Sequence, residues 1–208
     1  MKLSVKPSKA EKIHIYIDDE YRFTCDSNYW YSEKWHKLKE IDEQELIELE
    51  NSVNSRRAFL KGVSLLNRRA HSKKELMLKL SQSFPSQAAK QAVERLEELL
   101  LIDDEKFAYN YAEELFRRKK LAPKRIEMEL KAKGIDSETT RKAANSLDKD
   151  DFNRIILLLN SKYANKLSDE KAVNRTVNAL IRMGYDYYDI KKAISCVKNN
   201  SDCEEYYE

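Results

Sequence analysis

Three glycines, three prolines and three histidines in 208 residues leave this chain short of the residues that build tight turns, phosphate loops and metal sites. A glycine-rich phosphate cradle cannot be assembled from three scattered glycines. His14, His36 and His71 stand apart, with no HExxH pair, no zinc spacing and no triad partner in sequence. Catalysis is therefore not expected, and neither is a metal or another cofactor. Cysteine is equally sparse: Cys25, Cys196 and Cys203 are odd in number and have no ligand-like spacing. With no apolar stretch near the first residues to act as a signal sequence, the expectation is a reduced protein of the cytoplasm. No apolar run approaches the roughly 18 residues that a membrane span needs.

What is abundant is charge, at 36% of the chain, and with so little glycine and proline this favours long helices with solvent-facing sides. The net charge of +3 is a small difference between 39 basic and 36 acidic residues, so distribution matters more than total. Residues 56–80 carry Arg56, Arg57, Lys61, Arg68, Arg69, Lys73, Lys74 and Lys79 against Glu75 alone. A second basic stretch over 117–133 is opposed only by Glu127 and Glu129, and the tail from Ser201 is acidic.

Leu80, Leu130 and Leu180 recur at a spacing of fifty, and Gly134 and Gly184 follow the latter two at the same offset. The same shift superposes Leu76 on Ile126 and Thr176, and Ala58 on Ala108. A fixed long period marks a supersecondary unit repeated in tandem, each copy burying its apolar face partly against the next. Within a copy the apolar residues trace three helical stripes. In the first these are Ala58, Phe59, Val63 and Leu66; then Leu76 and Leu80; then Ala89, Val93 and Leu96.

Helix boundaries are marked as well. Asp42 with Glu45, and Ser72 with Glu75, form capping-box pairs, and Pro123 suits a first helical position. Gly134 suits a left-handed residue just past a helix end, where the first copy has Phe84 instead. The helix opened by Asp42 is expected to end toward Ser52, with the first module starting near Arg56. The third copy carries about seven extra residues around Tyr163–Leu167. Ahead of the modules, Ile13, Ile15 and Ile17 alternate with polar residues, turn at Asp18-Asp19-Glu20 and alternate again through Tyr21, Phe23 and Cys25. That pattern predicts a β-hairpin, which needs apolar cover from Tyr29, Trp30, Tyr31 and Trp35.

The fold class that follows is predominantly all-α, with tandem three-helix modules behind a small N-terminal β-hairpin. The segments are 1–54 for the hairpin and a short helix, 55–102, 103–148 and 149–199 for the three modules, and 200–208 for the acidic tail. Clustered carboxylates such as Asp103-Asp104-Glu105 and Asp148, Asp150 and Asp151 fall at turns or helix starts, where they serve as caps. The basic residues repeat more pointedly. Arg68-Arg69 matches Arg118-Lys119 and Lys74 matches Lys124, each set at the turn between the first and second helices of its module. A solvated helix surface accounts for such residues, and so does contact with a phosphate backbone or an acidic protein surface. The candidate contact residues are Arg68, Arg69, Lys73, Lys74, Arg117, Arg118, Lys119, Lys120, Lys124 and Arg125. Tyr109, Tyr111 and Phe116 lie among them but fit the core stripe better than a base-stacking platform.

Several segments in this order resemble the RecX family, regulators of the RecA recombinase. Asp103-Asp104-Glu105-Lys106-Phe107-Ala108 is similar to the family's D-D-x-x-F-A, and Ser72-Lys73-Lys74-Glu75-Leu76 with Leu80 to R-S-x-x-E-L-x-x-x-L. Leu130-Lys131-Ala132-Lys133-Gly134-Ile135 is similar to L-x-x-K-G-I, and the segment Ile13–Tyr21 resembles the N-terminal extension of Gram-positive-type members. The likeness runs from about residue 12 to 198. His71, Ala122 and Phe84 depart from the family's usual arginine and glycines.

The resemblance implies an elongated, curved array lying in the groove of the RecA filament on single-stranded DNA. It further implies modulation, chiefly inhibition, of recombinase, ATPase and coprotease activities. The implied partners are RecA and, weakly and with salt sensitivity, single-stranded DNA first and double-stranded DNA second; a monomer is expected. A direct DNA binder of the helix-turn-helix type, with Lys124 and Arg125 at a helix start, and a helical scaffold for another protein are the alternatives.

Overall fold

The alternating isoleucines do form a strand, but in the computed structural model it is the middle one of three. The structure describes residues 1–148, 150–164, 167 and 169–199. Strands β1 (Leu3–Pro7), β2 (Lys12–Ile17) and β3 (Glu20–Asp26) make an antiparallel meander in that order. Asp18 and Asp19 turn between β2 and β3 with φ of 49° and 67°, a conformation that short acidic side chains tolerate. The expected hairpin thus gains a third strand, paired Leu3 to Ile17 through Pro7 to Ile13. In β1 only Leu3 and Val5 alternate before Pro7, too short a pattern to stand out.

Ile13, Ile15 and Ile17 face inward onto Trp30, Trp35, Leu49 and Val53. Trp30 belongs to α1 (Ser27–Ser32) and Trp35 to the short 3-10 turn Lys34–Lys37, so two of the four expected aromatic covers are buried. Tyr29 is half-buried, its hydroxyl on that of Ser52, while Tyr31 is exposed.

Helix α2 runs unbroken from Glu43 to Leu66, where a helix ending toward Ser52 and a new one near Arg56 were expected. Nothing between Ser52 and Arg56 breaks a helix, and Val53 is a core residue there. One helix thereby serves two cores: Leu49 and Val53 cover the sheet, and Ala58 packs on Leu76, Leu80, Val93 and Leu96. The Asp42–Glu45 capping box opens it. The first module is completed by α3 (Lys73–Ser81) and α4 (Ser86–Glu98), with Ser72 capping α3 through the Glu75 N–H.

Two compact units divide the chain, Met1–Ile102 and Asp103–Glu208. The second unit holds α5 (Asp104–Arg118), α6 (Pro123–Ala132) and α7 (Ser137–Asn145), then α8 (Asp151–Ser161), α9 (Glu170–Arg182) and α10 (Tyr187–Asn199). Ten α-helices are therefore present among the described residues. Asp103, Asp136, Asp150 and Asp169 each accept a backbone N–H at a helix start, so the acidic clusters of the sequence act as caps. Phe107, Ala108, Leu115, Ile126, Leu130 and Ala143 form one core; Ile155, Leu159, Val177, Leu180, Ile190 and Ala193 form the next.

Helices α6 and α9 end alike. Gly134 and Gly184 take φ of 86° and 98°, and the following Ile135 and Tyr185 donate back to Leu130 and Leu180. Phe84 is not left-handed; its N–H and that of Ser83 both go to the Leu80 carbonyl. The module that lacks the glycine simply ends its helix another way. Of the extra residues in the third module, 165, 166 and 168 lie outside the described residues, as does the acidic tail 200–208.

Candidate binding surface

A repeat makes equivalent residues comparable, and the basic residues at equivalent places differ in how far the chain itself uses their charge. In the N-terminal unit Arg68 and Arg69 follow the end of α2. Arg69 forks onto the Glu75 carboxylate at 2.6 and 3.1 Å, and Lys73 pairs with Glu97. Arg68 and Lys74 are exposed and have no ion pair among the described residues. The carboxylate of Glu75, one member of the expected capping-box pair, accepts from Arg69.

The C-terminal unit repeats this division. Arg117 and Arg118 pair one turn back with Glu113 and Glu114, and Arg125 one turn on with Glu129 at 2.7 Å. Lys119 and Lys124 are exposed without an ion pair among the described residues. Exposed pairs one helical turn apart contribute only about 0.3–0.5 kcal/mol, so a competing carboxylate or phosphate could displace them readily. The unpaired cations need no displacement at all.

The turn Lys119–Ala122 is also the joint between the second and third modules. Lys120 is left-handed at φ 57°, and its carbonyl accepts the Tyr185 hydroxyl at 2.7 Å. The Ala122 N–H donates to the Met183 carbonyl at 2.9 Å, and the Ala122 side chain is buried in the third module's core. Gly184 lies so close to Arg125 that a β-carbon there would stand 2.5 Å from Arg125 Cβ. Arg125 and Lys120 therefore build the joint as well as carrying charge.

Arg154 locks the same joint, a role for which the sequence offered no signal. Its side chain is only 12% exposed and its guanidinium lies 3.5 Å from the centre of the Phe116 ring. It donates to the Leu121 carbonyl at 3.1 Å and pairs with Asp151 at 3.2 Å. Burial raises the Asp151 pKa, and the Arg154 charge partly offsets the rise. Burial likewise pushes the Tyr185 phenol up to about 12, so it stays a donor to Lys120 at any ordinary pH. A cavity of about 270 Å³ beside the joint is lined by Lys120, Arg154, Leu157, Leu158, Ser161 and Tyr185.

Other chemically suggestive groups are consumed by structure. Arg56, at a cleft of about 550 Å³ in the N-terminal unit, bonds Asp26 and lies over the rings of Tyr29 and Phe59. Cys25 is free and buried in β3; burial, then the neighbouring Asp26 charge, raises its thiol to about 11 against the opposing pull of Arg57. His71 is buried with Nδ1 2.9 Å from the Arg69 carbonyl, and burial lowers its pKa below the ordinary 6.5. No helix among the described residues is long and apolar enough to cross a membrane. Tyr109, Tyr111 and Phe116 pack on the second module's core, as their spacing predicted.

The module built by α5, α6 and α7 is also the part of the chain that a family model recognises. Residues 103–143 match RecX, second three-helix domain. The likeness extends well beyond that module: the regulatory protein RecX of Bacillus subtilis (strain 168) is 27% identical over 97% of this chain and 78% of the relative. That of Clostridioides difficile (strain 630) is 26% identical over 95% of both chains. The chain is thus similar to RecX proteins over nearly its whole length. A crystal structure of a regulatory protein RecX superposes with a TM-score of 0.64 at 19% identity, over 92% of this chain and 98% of that one. Another, RecX from Lactobacillus salivarius, gives 0.54 at 22% identity over 70% and 97%. Both support the same helical fold for this chain.

Proposed function

We propose that the chain is a regulatory protein that binds RecA and the RecA filament on single-stranded DNA and restrains its recombinase, ATPase and coprotease activities. The observation that carries this reading is near full-length similarity to relatives named regulatory protein RecX. The modules 55–102, 103–148 and 149–199 act as linked binding units, working in the cytoplasm as a monomer by contact rather than by catalysis and without a cofactor. A filament offers the same surface again and again, so once one module is seated the next meets its site at high effective concentration. Arg68 and Lys74, with Lys119 and Lys124, supply attraction that needs no internal ion pair to open. Arg69, Lys73, Arg117, Arg118, Lys120 and Arg125 add to the same basic field. Single- and double-stranded DNA contacts through these residues are weak and fall with salt.

Titration of RecA ATPase on single-stranded DNA with the purified chain tests the proposal. Substoichiometric amounts are expected to lower the rate, and unchanged RecA activities at low salt would sink it. Direct reading of duplex DNA through α6 is less well supported, because Glu127 and Glu129 lie along that helix among its cations. Sequence preference on naked duplex that survives moderate salt would favour it nonetheless. Capture of a different protein, with no DNA-dependent phenotype on deletion, would favour a scaffold.

A further inference from the structure

The second helices of the first two modules share more than their buried face. From Lys73 to Leu80 and from Pro123 to Leu130, burial follows the same sequence residue by residue. Leu76 and Leu80, and likewise Ile126 and Leu130, are wholly buried, while Lys74 and Lys124 are exposed. One turn beyond each lysine stands a large apolar side chain in solvent: Leu78 is 60% exposed and Met128 58%. Residues four apart lie on one helix face, so each module presents a cation and an apolar group side by side.

Isolated exposed leucines are ordinary and need no explanation. This pair differs in three respects. The two are equivalent under the repeat; each accompanies a lysine that has no ion pair among the described residues; and the third module breaks the pattern. Its equivalents, Asn174 and Asn178, are exposed and polar on α9, although α9 keeps Thr176 and Leu180 buried. Burying the inward face therefore does not demand an apolar residue outward. Leu78 and Met128 contribute little to the fold where they stand.

We infer that Lys74 with Leu78, and Lys124 with Met128, form two equivalent protein-docking dyads, each seating on a carboxylate beside an apolar depression of a protein partner. The inference rests on the proposed filament-binding function and names the protein component of the filament, rather than its DNA, as what these faces touch. Phosphates would satisfy the lysines but leave Leu78 and Met128 in water. A protein surface with an acidic rim and an apolar pocket satisfies both groups. Burying the two apolar side chains removes each from water, and the lysines, unneutralised within the chain, gain a counter-charge. The third module, carrying asparagines at these positions, does not dock this way.

The test uses the full chain and Leu78→Gln with Met128→Gln, singly and together. Glutamine matches leucine and methionine in helix propensity, so circular dichroism and the melting temperature should not change. Binding to RecA-coated single-stranded DNA is expected to weaken on the order of 10-fold or more in the double variant, with unaltered salt dependence. Binding to naked single-stranded DNA should stay as it was. Lys74→Gln with Lys124→Gln should weaken filament binding too, but with a shallower salt dependence. Wild-type chain that fails to bind the filament overturns the proposed function. Wild-type chain that binds, with the Leu78 and Met128 variants binding equally well, overturns the dyads alone. Equal losses on naked DNA and on filament would assign these faces to DNA and reject the protein partner.

Discussion

Helices α6 and α9 turn the same face inward and different faces outward. Ile126 and Leu130 in one, and Thr176 and Leu180 in the other, are all buried, and both helices close on a left-handed glycine. Outward, Lys124 and Met128 in α6 give way to Asn174 and Asn178 in α9. The inward face is fixed by packing, which tolerates exchange only within size and polarity limits. The outward face is free of that constraint, so what persists there between modules points to a partner. Thr176 is the one inward concession, a polar residue in a slot that elsewhere holds leucine or isoleucine.

The contrast can be broken most forcefully on the inward side. Leu130→Ala and Leu180→Ala should each destabilise the C-terminal unit by about 2–5 kcal/mol, measured by denaturant unfolding, because each deletes a wholly buried side chain. Equal tolerance of Met128→Gln and Leu130→Ala would dissolve the distinction between the faces. Next in size is Gly184→Ala, at the end of α9. It places a β-carbon 2.5 Å from Arg125 Cβ at a residue whose φ is 98°, so a loss of about 2–4 kcal/mol is expected. Phe84→Ala at the matching position of the first module carries no such backbone penalty, because Phe84 is not left-handed.

Arg154→Ala tests whether the second and third modules are joined as described. Removing the guanidinium leaves Asp151 half-buried without its partner and uncovers the Phe116 ring, at a cost of about 2–4 kcal/mol in the same unfolding measurement. Arg154→Lys should recover part of the loss, since a lysine keeps the charge but not the planar fork.

The smallest effect concerns the approach to α3, the counterpart of α6 in the first module. Burial depresses the pKa of His71 in the folded state, so the unfolded chain binds its proton first as pH falls. Stability of the N-terminal unit should therefore be full above pH 6.5 and decline as pH drops through that value toward the lower folded pKa. His71→Gln should flatten this dependence in thermal melts across pH 5 to 7. An unchanged slope would remove His71 as its source.

Much of this architecture is legible in the sequence alone. The fifty-residue period, the three stripes per copy and the caps at Asp42, Ser72 and Pro123 are local signals, and local hydrogen bonding and periodic burial realise them. β1 is not legible in the sequence because Leu3 and Val5 alternate over too few residues, and it becomes a strand only because the edge of β2 is there to pair with it. The break expected in α2 failed for the opposite reason: Val53 buries against the sheet, extending the helix through a stretch whose own pattern is weak. Among the candidate contact residues, charge and equivalence could be read from the sequence. Which lysines and arginines the chain had already paired could not.

Sequence alone determined the helices, their inward faces and their repetition, because each depends on residues within a turn or two of one another. Tertiary structure decided that Lys120, Ala122, Arg154 and Tyr185 meet at one joint and that Lys73 answers Glu97. It also decided that Leu78 and Met128 remain in solvent. Those outcomes depend on which distant segments pack together, and the free energy of a contact exists only once both partners have been brought to the same place.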